Sequence, residues 1–450
     1  MTHTHRFVAQ AALASAALLG GLLAASPPAA ADTGAYYVSS TKGSDSNDGR
    51  SPGSPFKTIQ QAADRTLPGD TVFVMNGTYG DVSSEGVVQI TRSGTAGKPI
   101  TYRPYPGQHP VIAPVTGWNG VLVAGASYIT VTGLDVRGPS DRYTLAEAEA
   151  GSVPGKAKFN TNCIDLRADK TSGRTPHHVV VSGNHVWDCP GGGIASTGAD
   201  HLLIEHNTVH SNAWYSVYAN SGISVLTPVD VDSDTGYKII IRDNLVYGNE
   251  TKVKWSACDC YSDGNGIIVD STLTGEGTEG KPYAGRSLVE NNVSYDNGGS
   301  GIHAYKSSHV DIVHNTAYLN SQGREIAYPN IGAWNSEDVN VLDNISVASP
   351  GKPTNFIQGN TDVVYDYNVY WGGTTPQVQG PHDLVADPRL TAPGTEPEKA
   401  DFRPTASSVA VDSGVPTRTR TDFAGVPRPQ GAGWDRGAYE YVPSRHADRP

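Results

Sequence analysis

Seven phrases that each place asparagine after a run rich in β-branched residues decide how this chain folds. They are VVVSGNHV (179–186), LLIEHNTV (202–209), IIIRDNLV (239–246), SLVENNVS (287–294), VDIVHNTA (310–317), VNVLDNIS (339–346) and VVYDYNVY (363–370). The intervals between their asparagines, from Asn184 to Asn368, are 23, 37, 48, 23, 29 and 24. A short period that is kept exactly in some places and lengthened in others is typical of a repeat fold.

An isoleucine between successive phrases marks a second strand of each repeat. These isoleucines are Ile164, Ile194, Ile223, Ile267, Ile302 and Ile331. In the shortest repeats the interval from the preceding asparagine to the isoleucine is 10, and that from the isoleucine to the next asparagine is 13. Several short strands per repeat, without helical periodicity, describe one turn of a parallel β-helix. We therefore predict an all-β right-handed parallel β-helix, a solenoid with an Ile and Val core and an amide ladder along the asparagines.

The two ends of the chain differ from the repeats. Arg6, an apolar run and the three alanines at 29–31 form the pattern of a cleaved signal peptide. A short amphipathic helix within 55–66 is expected to cap the open end of the solenoid. The predicted regions are a signal peptide over 1–31, an N-terminal entry strand and capping helix over 32–80, β-helix coils over 81–370, and an irregular C-terminal cap over 371–450.

Composition limits the partners and the compartment. A formal net charge of −12 argues against nucleic acid, because neutralising phosphates requires surplus Lys and Arg. Four cysteines in an exported chain favour disulfides, and Cys163 and Cys189 fall in neighbouring repeats, although connectivity stays open. After the signal peptide, no stretch approaches the ~18 apolar residues of a membrane span. We expect a secreted, extracellular monomer that binds neither nucleic acid nor membrane.

The additional residues fall at one phase of the repeat, in the link between an asparagine phrase and the next isoleucine. The interval from asparagine to isoleucine is 10 at its shortest, but 16 after Asn207, 23 after Asn244 and 16 after Asn315. In the earliest coil Leu134 takes the asparagine position, and the interval to Ile164 is 30. Insertions at one phase of a solenoid project from one side. They therefore predict a wall of loops formed by 138–161, 211–221, 249–265 and 321–329.

The strand after each wall loop supplies a floor beside the wall. Because strand residues alternate, an inward isoleucine directs the next residue and the third after it outward. This rule predicts one exposed face with Asp165, Arg167, Ser224, Asp270, His303, Tyr305 and Trp334. Acids, a histidine and aromatic rings beside a wall are typical of a sugar-binding cleft. We interpret the face as a groove for an extracellular polysaccharide, the alternative being an ordinary solvated sheet face.

One reaction that suits such a groove is β-elimination of a uronic-acid polymer. A base removes the proton next to the carboxyl group, while cations or amide donors stabilise the charge that develops there. The wall loops supply Tyr215, Tyr218, Lys252 and Lys254 as candidate bases and acids. For each of them a packing or solvated role is the alternative. The groups expected to hold the uronate are Arg167, Asn265, Arg286, His303 and Lys306.

Hydrolysis is a second reaction, and it needs two carboxyl groups across the scissile bond. Asp263 in the wall and Asp270 on the floor belong to the same coil, and Asp165 is a candidate from another coil. The competing interpretation is structural, since β-helix turns commonly contain Asp, as in the bend SDGNG over 262–266. A third hypothesis is a non-catalytic carbohydrate-binding or cell-surface β-helix that uses the aromatic floor of Tyr305 and Trp334.

The opening of the mature chain resembles a known group of enzymes. YYVSSTKGSDSNDGRSPGSPFKTIQQA (36–62) and PGDTVFVMNGTY (68–79) resemble the entry of exported bacterial β-helix proteins of the pectate-lyase-like superfamily, notably polysaccharide lyase family 9. That family holds calcium with aspartates at Asp-Gly motifs and uses lysine as base. The matching places here read Asn265-Gly266-Ile267 and Ser300-Gly301-Ile302-His303, without those aspartates. We therefore expect no cofactor, with a structural or catalytic Ca²⁺ as the alternative that the matching places do not support.

The middle of the chain is similar to exported bacterial β-helix proteins related to family 31 alginate lyases. The similar segments are NSGISV (220–225), YGNETKVKWSACDCYSDGNGIIVDS (247–271) and GRSLVENNVSYDNGGSGIHAYKSSHVDIVHNT (285–316). This resemblance implies metal-free elimination by a Tyr and a Lys, matched by loop position to Tyr218 and Lys254 or to Tyr215 and Lys252. We predict a secreted polysaccharide lyase acting on alginate or pectate, with Lys254 as base and Tyr218 as acid.

The prediction assigns residues to two roles, with the hydrolase and the non-catalytic binder kept as alternatives. The catalytic candidates are Lys254, Tyr218, His303, Asp263 and Asp270. The substrate-binding candidates are Asp165, Arg167, Tyr215, Lys252, Asn265, Arg286, Tyr305, Lys306 and Trp334.

Overall fold

Stacked coils form the part of the chain that the computed structural model describes, residues 34–273 and 281–443. Each full coil supplies one strand to each of three parallel sheets. This architecture is a parallel β-helix, and it confirms the predicted fold class. The signal peptide predicted over 1–31 lies outside the described residues. Among the residues that are described, no helix has the length and apolar character needed to cross a membrane.

Two of the sheets contain 11 strands each. We call them the long sheet and the short sheet after the length of their strands. The strands of the long sheet are Ala35–Val38, Thr71–Val74, Ile100–Pro104, Ser127–Thr132, His177–Ser182, Asp200–Glu205, Tyr237–Arg242, Arg286–Glu290, Ser308–Val313, Glu337–Leu342 and Thr361–Asp366. The strands of the short sheet are Thr78–Tyr79, Val111–Ile112, Asp135–Arg137, His185–Trp187, Thr208–His210, Leu245–Tyr247, Val293–Tyr295, Thr316–Tyr318, Ile345–Val347, Val369–Trp371 and Leu384–Val385.

The third sheet, called the groove sheet, contains 8 strands. They are Gly86–Ile90, Asn119–Ala124, Asn162–Arg167, Ile194–Thr197, Ile223–Leu226, Ile267–Asp270, Ile302–Tyr305 and Ile331–Trp334. Outside the three sheets lie a helix over Ile59–Ala63, a 3-10 helix over Ser140–Arg142, a helix over Leu145–Gly151, and an antiparallel pair, Leu390–Ala392 with Asp401–Pro404.

Isoleucine and valine fill the interior of the coils. The six marker isoleucines, from Ile164 to Ile331, lie in register on adjacent strands of the groove sheet. Each of them is 0% exposed. Burying such a side chain stabilises the fold by about 1.5–3 kcal/mol, so the repeated isoleucine holds every coil in the same register.

The repeated asparagines form the predicted amide ladder between the long and short sheets. Nδ2 of Asn184 donates to Oδ1 of Asn207 at 3.0 Å, and the same 3.0 Å contact recurs at each step as far as Asn368. Leu134, which takes the asparagine position in the earliest coil, donates its backbone N–H to Asn184 Oδ1 at 3.0 Å. The ladder satisfies buried amides and locks the turn of each coil.

A second amide ladder lies where the short sheet meets the wall loops. Nδ2 of Asn212 donates to Asn249 Oδ1 at 3.1 Å, and the chain of amides continues through Asn297, Asn320 and Asn330 at 2.8–3.0 Å. All five asparagines are buried. This ladder fixes the base of the wall, so the loops stand on a rigid support.

The helix Ile59–Ala63 closes the N-terminal end of the solenoid, as predicted. Thr58 caps it by accepting the N–H of Gln61, and Ile59 is buried. Oε1 of Gln60 accepts the N–H of Gln89 at 2.7 Å, on the first strand of the groove sheet. The helix therefore covers an otherwise unpaired strand edge. The coils begin at Ala35 rather than at 81, because Ala35–Val38 already pairs in the long sheet.

The C-terminal segment packs against the later coils. The ring of Phe402 lies 5.1 Å from that of Tyr295 on the short sheet. The buried Arg428 donates to Glu440 Oε1 at 2.7 Å and to Asn291 Oδ1 at 3.1 Å. The four cysteines form two disulfides, Cys163–Cys189 between neighbouring coils and Cys258–Cys260 within a wall loop.

Candidate functional site

A groove of about 480 Å³ runs across four strands of the groove sheet. Its floor comes from Asn162–Arg167, Ile194–Thr197, Ile223–Leu226 and Ile267–Asp270, and its wall from the loops before the last two strands. The candidate residues that line it are Asp165, Arg167, Tyr218, Asp263 and Asp270. Insertions from separate coils thus meet a common floor.

The floor follows the alternation of the strands. One outward row runs from Asp165 through Ala195, Ser224 and Ile268 to His303. A second outward row consists of Arg167, Thr197, Leu226, Asp270, Tyr305 and Trp334. The two rows lie on the same face because the residues between them, such as Leu166, Val225 and Val269, point inward and are buried.

Asp263 is held in the wall by its neighbours. The hydroxyl of Ser262 donates to its Oδ2 at 2.8 Å, and Nδ2 of Asn265 donates to its Oδ1 at 2.9 Å. Asp263 has a φ of +61°, and Gly264 follows at +69°. A Cβ on Gly264 would lie 2.6 Å from the nitrogen of Thr251, so the bend requires glycine there.

The environment of Asp263 favours its protonated form. Burial raises the pKa of its carboxyl to about 7, and the nearby charge of Asp270 contributes to the same shift. The hydrogen bonds from Ser262 and Asn265 act against this shift but do not cancel it. Near neutral pH the groove therefore contains a carboxyl group that can donate a proton beside a second carboxyl group.

Two further charged groups line the opposite part of the floor. Asp165 is 4% exposed, and burial raises the pKa of its carboxyl. Nη1 of Arg167 lies 3.4 Å from Asp165 Oδ2, and its Nη2 lies 2.7 Å from Glu85 Oε2. The positive charge of Arg167 is thus already shared between two carboxylates, which leaves the described groove lining acidic.

Tyr218 links the groove to a second depression of about 300 Å³. Its side chain is 41% exposed, and its hydroxyl accepts the N–H of Gly155 at 2.6 Å. The ring of Trp118 lies 6.5 Å away, and Lys170 also lines this depression. Two aromatic rings at the mouth of a groove provide apolar faces against which sugar rings can pack.

Three candidates in the wall loops lie away from the groove. Lys254 extends to the exposed tip of its loop, where Nζ lies 3.4 Å from Asp259 Oδ2. Nζ of Lys252 lies 3.4 Å from the ring centroid of Trp214. Tyr215 is 6% exposed and packs within the loops, where its hydroxyl donates to a backbone carbonyl. These side chains support the wall and do not line the groove.

Two candidates for binding the uronate are occupied elsewhere. Arg286 belongs to the long sheet, where its guanidinium lies 2.6 Å from Asp311 and 2.9 Å from Asp338. Asn265 is 0% exposed, and its amide is satisfied by Ser221, Asp263 and the N–H of Ser300. Asn265 therefore positions Asp263 rather than substrate.

The remaining floor candidates lie beyond the groove. His303 continues the floor row but is 4% exposed, and burial lowers its pKa to about 3, so it carries no charge near neutral pH. Tyr305 and Trp334 contact each other with ring centroids 5.4 Å apart. Lys306 lies in the exposed turn after Tyr305, with Nζ 5.2 Å from that ring. The catalytic candidate His303 and the substrate-binding candidates Tyr305, Lys306 and Trp334 therefore do not line the groove.

Several residues of the groove were not identified from the sequence. Asn162 and Asn220 line both depressions, and Trp118 and Lys170 line the second. Asn162 and Asn220, like the predicted Asp263, each precede a marker isoleucine by two to four residues. A search for polar residues just before each marker would have found both.

Comparison with known proteins agrees with this architecture. Residues 36–186 match the family described as "Pel9A-like, right handed beta helix region", and residues 119–285 match the one described as "Right handed beta helix region". The chain is therefore a right-handed parallel β-helix protein. Its first coils form a Pel9A-like region.

Relatives share shorter segments or the fold alone. The uncharacterized protein YwoF of Bacillus subtilis (strain 168) is 37% identical over 98 residues, which are 22% of this chain and 18% of that protein. Pectate lyase PEL9 of Emericella nidulans is 40% identical over 58 residues, 13% of each chain. The crystal structure of pectate lyase Pel9A superposes with a TM-score of 0.55 at 14% identity, covering 91% of this chain and 96% of that one. These matches identify the fold, which is one used by polysaccharide-cleaving enzymes.

Proposed function

We propose that the chain is a glycoside hydrolase that cleaves a neutral polysaccharide in the groove. The observation that carries this proposal is the pair formed by Asp263 and Asp270 in one groove, with the pKa of Asp263 raised to about 7. Glycoside hydrolysis requires one protonated and one ionised carboxyl group on either side of the scissile bond. Their different surroundings separate the two roles.

In this mechanism Asp263 donates its proton to the glycosidic oxygen as the bond to the anomeric carbon breaks. Asp270 faces the positive charge that develops on the sugar, and it completes the reaction as nucleophile or as the base that activates water. The hydroxyl of Ser271 donates to Asp270 Oδ1 at 2.8 Å and orients that carboxylate. Whether the product retains or inverts the anomeric configuration, followed by NMR, distinguishes the two roles of Asp270.

The charge of the groove favours a neutral substrate over a uronate. Three carboxyl groups line it against one guanidinium, and that guanidinium is already paired. Of the cationic groups expected to hold a uronate, Arg286 and Lys306 lie outside it, as does Lys254, the expected base. Arg167 alone of the expected cations lines it. A polyanion entering this groove would meet like charge, which is unfavourable at short range.

The test is a screen of neutral and uronate polysaccharides with the native protein and matched variants. We expect new reducing ends without the ultraviolet absorbance of an unsaturated sugar. Asp263→Asn and Asp270→Asn should each lower the rate about 100-fold or more, the scale of general acid catalysis. Lys254→Ala is the control, and it should cleave at the native rate because its side chain lies outside the groove. Native-like cleavage by both Asp variants would contradict the proposal.

A polysaccharide lyase is the second candidate, and one observation favours it. The Tyr218 hydroxyl and Arg167 share the groove, so a base and a cation are both present near the floor. Elimination would produce an unsaturated sugar, and the same screen would detect its absorbance on alginate or pectate. Tyr218→Phe should then abolish cleavage, whereas a hydrolase that uses the aspartates should retain much of its rate in this variant.

The proposal includes a site of action outside the cell and no cofactor. The signal-peptide pattern over 1–31 supports export, and mass spectrometry of the secreted N-terminus would test it. The two carboxyl groups and water suffice for the proposed reaction, so a chelator should leave the rate unchanged. Binding of a glycan by the native protein without any turnover would instead favour the non-catalytic hypothesis.

A further inference from the structure

The groove ends abruptly on one side of the carboxyl pair. Asp263 and Asp270 belong to the last coil that lines either depression in the described part of the chain. In the next coil the floor residue in register with Ile268 is His303, which lines neither depression. The groove therefore ends at the strand that carries Asp270.

The segment 321–328 leans back from the following coil towards this end of the groove. The N–H of Ser321 donates to the carbonyl of Gly299 at 2.7 Å, and that of Gly323 donates to Gly298 at 2.8 Å. Nη1 of Arg324 donates to the hydroxyl of Tyr261 at 3.1 Å. These contacts attach the segment to the preceding wall loop and to the turn beside it.

Tyr328 joins the wall to the floor at this point. Its hydroxyl lies 3.1 Å from that of Ser262, the residue that donates to Asp263. Its ring lies 5.5 Å from the ring of Trp334, which also contacts Tyr305 and Phe356. The cluster blocks the path that a polymer would need in order to continue past the carboxyl pair.

On the other side the groove stays open. From Asp270 it crosses three more strands to Asp165 and then continues to Trp118 and Lys170. Four strand spacings correspond to roughly 19 Å, enough for a short stretch of polysaccharide. Binding contacts are therefore concentrated on one side of the proposed cleavage point.

We infer that the enzyme is exo-acting: Tyr328 stops the end of the substrate beside Asp263 and Asp270, and short products leave from a chain terminus. This inference rests on the proposed function, because it takes the two aspartates as the point of cleavage. Tyr328 acts here as a specificity-determining residue through its bulk. The remainder of the polymer extends over Tyr218 and Trp118.

The experiment follows the products from a neutral polysaccharide that the native protein cleaves, together with oligosaccharides labelled at one end. We expect one short product from the earliest time points, with little loss of viscosity per new reducing end. Tyr328→Ala should open the groove and give products of mixed length, with a viscosity loss at least several-fold larger per cleaved bond. Tyr328→Phe, which keeps the ring, and Glu325→Gln, which alters a side chain of the same segment that is 65% exposed, should retain the native pattern.

Circular dichroism and the melting temperature establish that each variant is folded before its products are compared. Mixed-length products from the native protein at the earliest times would overturn the exo mode and leave hydrolysis standing. A folded Tyr328→Ala variant with an unchanged product pattern would overturn the role of Tyr328. Failure of the native protein to cleave any glycan would overturn the proposed function and this inference with it.

Discussion

Replacing Asp263 with asparagine should abolish cleavage and, above pH 7, make the protein more stable. Asparagine keeps the size of the side chain, accepts from Asn265 and can donate to Ser262, but it cannot titrate or donate a proton as an acid. The folded protein raises the pKa of Asp263 from 3.8 to about 7. Folding therefore carries a cost at every pH at which the unfolded chain would ionise this group.

The sign of the effect follows from proton binding. Between pH 3.8 and about 7 the folded chain keeps a proton on Asp263 that the unfolded chain has lost, so native stability falls as pH rises. The cost is complete above pH 7 and absent below 3.8. A rise of about three in the pKa of this one group corresponds to ~4 kcal/mol in the free energy of unfolding. The Asp263 side chain is partly accessible to solvent, and its titration is coupled to that of Asp270. We therefore expect the variant to gain only about 2 kcal/mol in its free energy of unfolding.

Thermal unfolding of the native protein and of Asp263→Asn at several pH values measures this difference. For a chain of this length, about 2 kcal/mol corresponds to a rise in Tm of roughly 2–3 °C at pH 8, shrinking towards zero at pH 4. Asp259→Asn is the matched control in the same loop, since that side chain is 87% exposed and should show no such trend. A variant that is less stable than native at pH 8, or equally shifted at every pH, would refute the reasoning.

Two further predictions concern the scaffold. Asn244→Ala breaks the ladder bonds to both neighbouring coils and leaves buried donors of Asn207 unpaired. It should therefore lower the free energy of unfolding by about 3 kcal/mol and Tm by several degrees. The control is Asn76→Ala, at an exposed position, which should change Tm little. Lys238→Met leaves the buried Asp200 without the ammonium 2.7 Å away and should cost about 3–5 kcal/mol; an unchanged Tm would show that the ion pair is dispensable.

The fold could be predicted from the sequence because its stabilising contacts repeat with the chain. From Ile164 to Ile331 each coil has an inward isoleucine at one phase, and from Asn184 to Asn368 an asparagine at another, so the register of these strands of the groove sheet was readable from the spacing alone. The second ladder was readable too. Asn212, Asn249, Asn297 and Asn320 each follow an asparagine of the first ladder by five residues. A repeat with two fixed phases predicts two stacked rows of side chains.

The candidate site was predictable by position where it belongs to the repeat, whereas among the predicted residues of the insertions Tyr218 and Asp263 line the groove and others do not. Asp165, Arg167 and Asp270 occupy positions counted from a marker isoleucine, and they line the groove. Tyr215 and Lys254 lie inside insertions, whose side-chain directions depend on how the loops pack on each other. Arg286 is different, because it directly precedes the phrase SLVENNVS (287–294), which identifies its strand as part of the long sheet. The sequence was therefore sufficient to predict that Arg286 lies outside the groove.

The lengths of the links also explain why the groove has one closed end. The coil that contains His303 has the shortest link, from Asn292 to Ile302, and so raises no wall of its own. The following coil has a longer link, from Asn315 to Ile331, and its excess folds back across the short coil and carries Tyr328 over the floor. Because the amide ladders and the isoleucine row pass beneath unchanged, a few residues in one link set the length of the groove without altering the core. A change in the length of a single insertion can therefore convert a solenoid enzyme that cleaves within a polymer into one that cleaves at the end of the polymer.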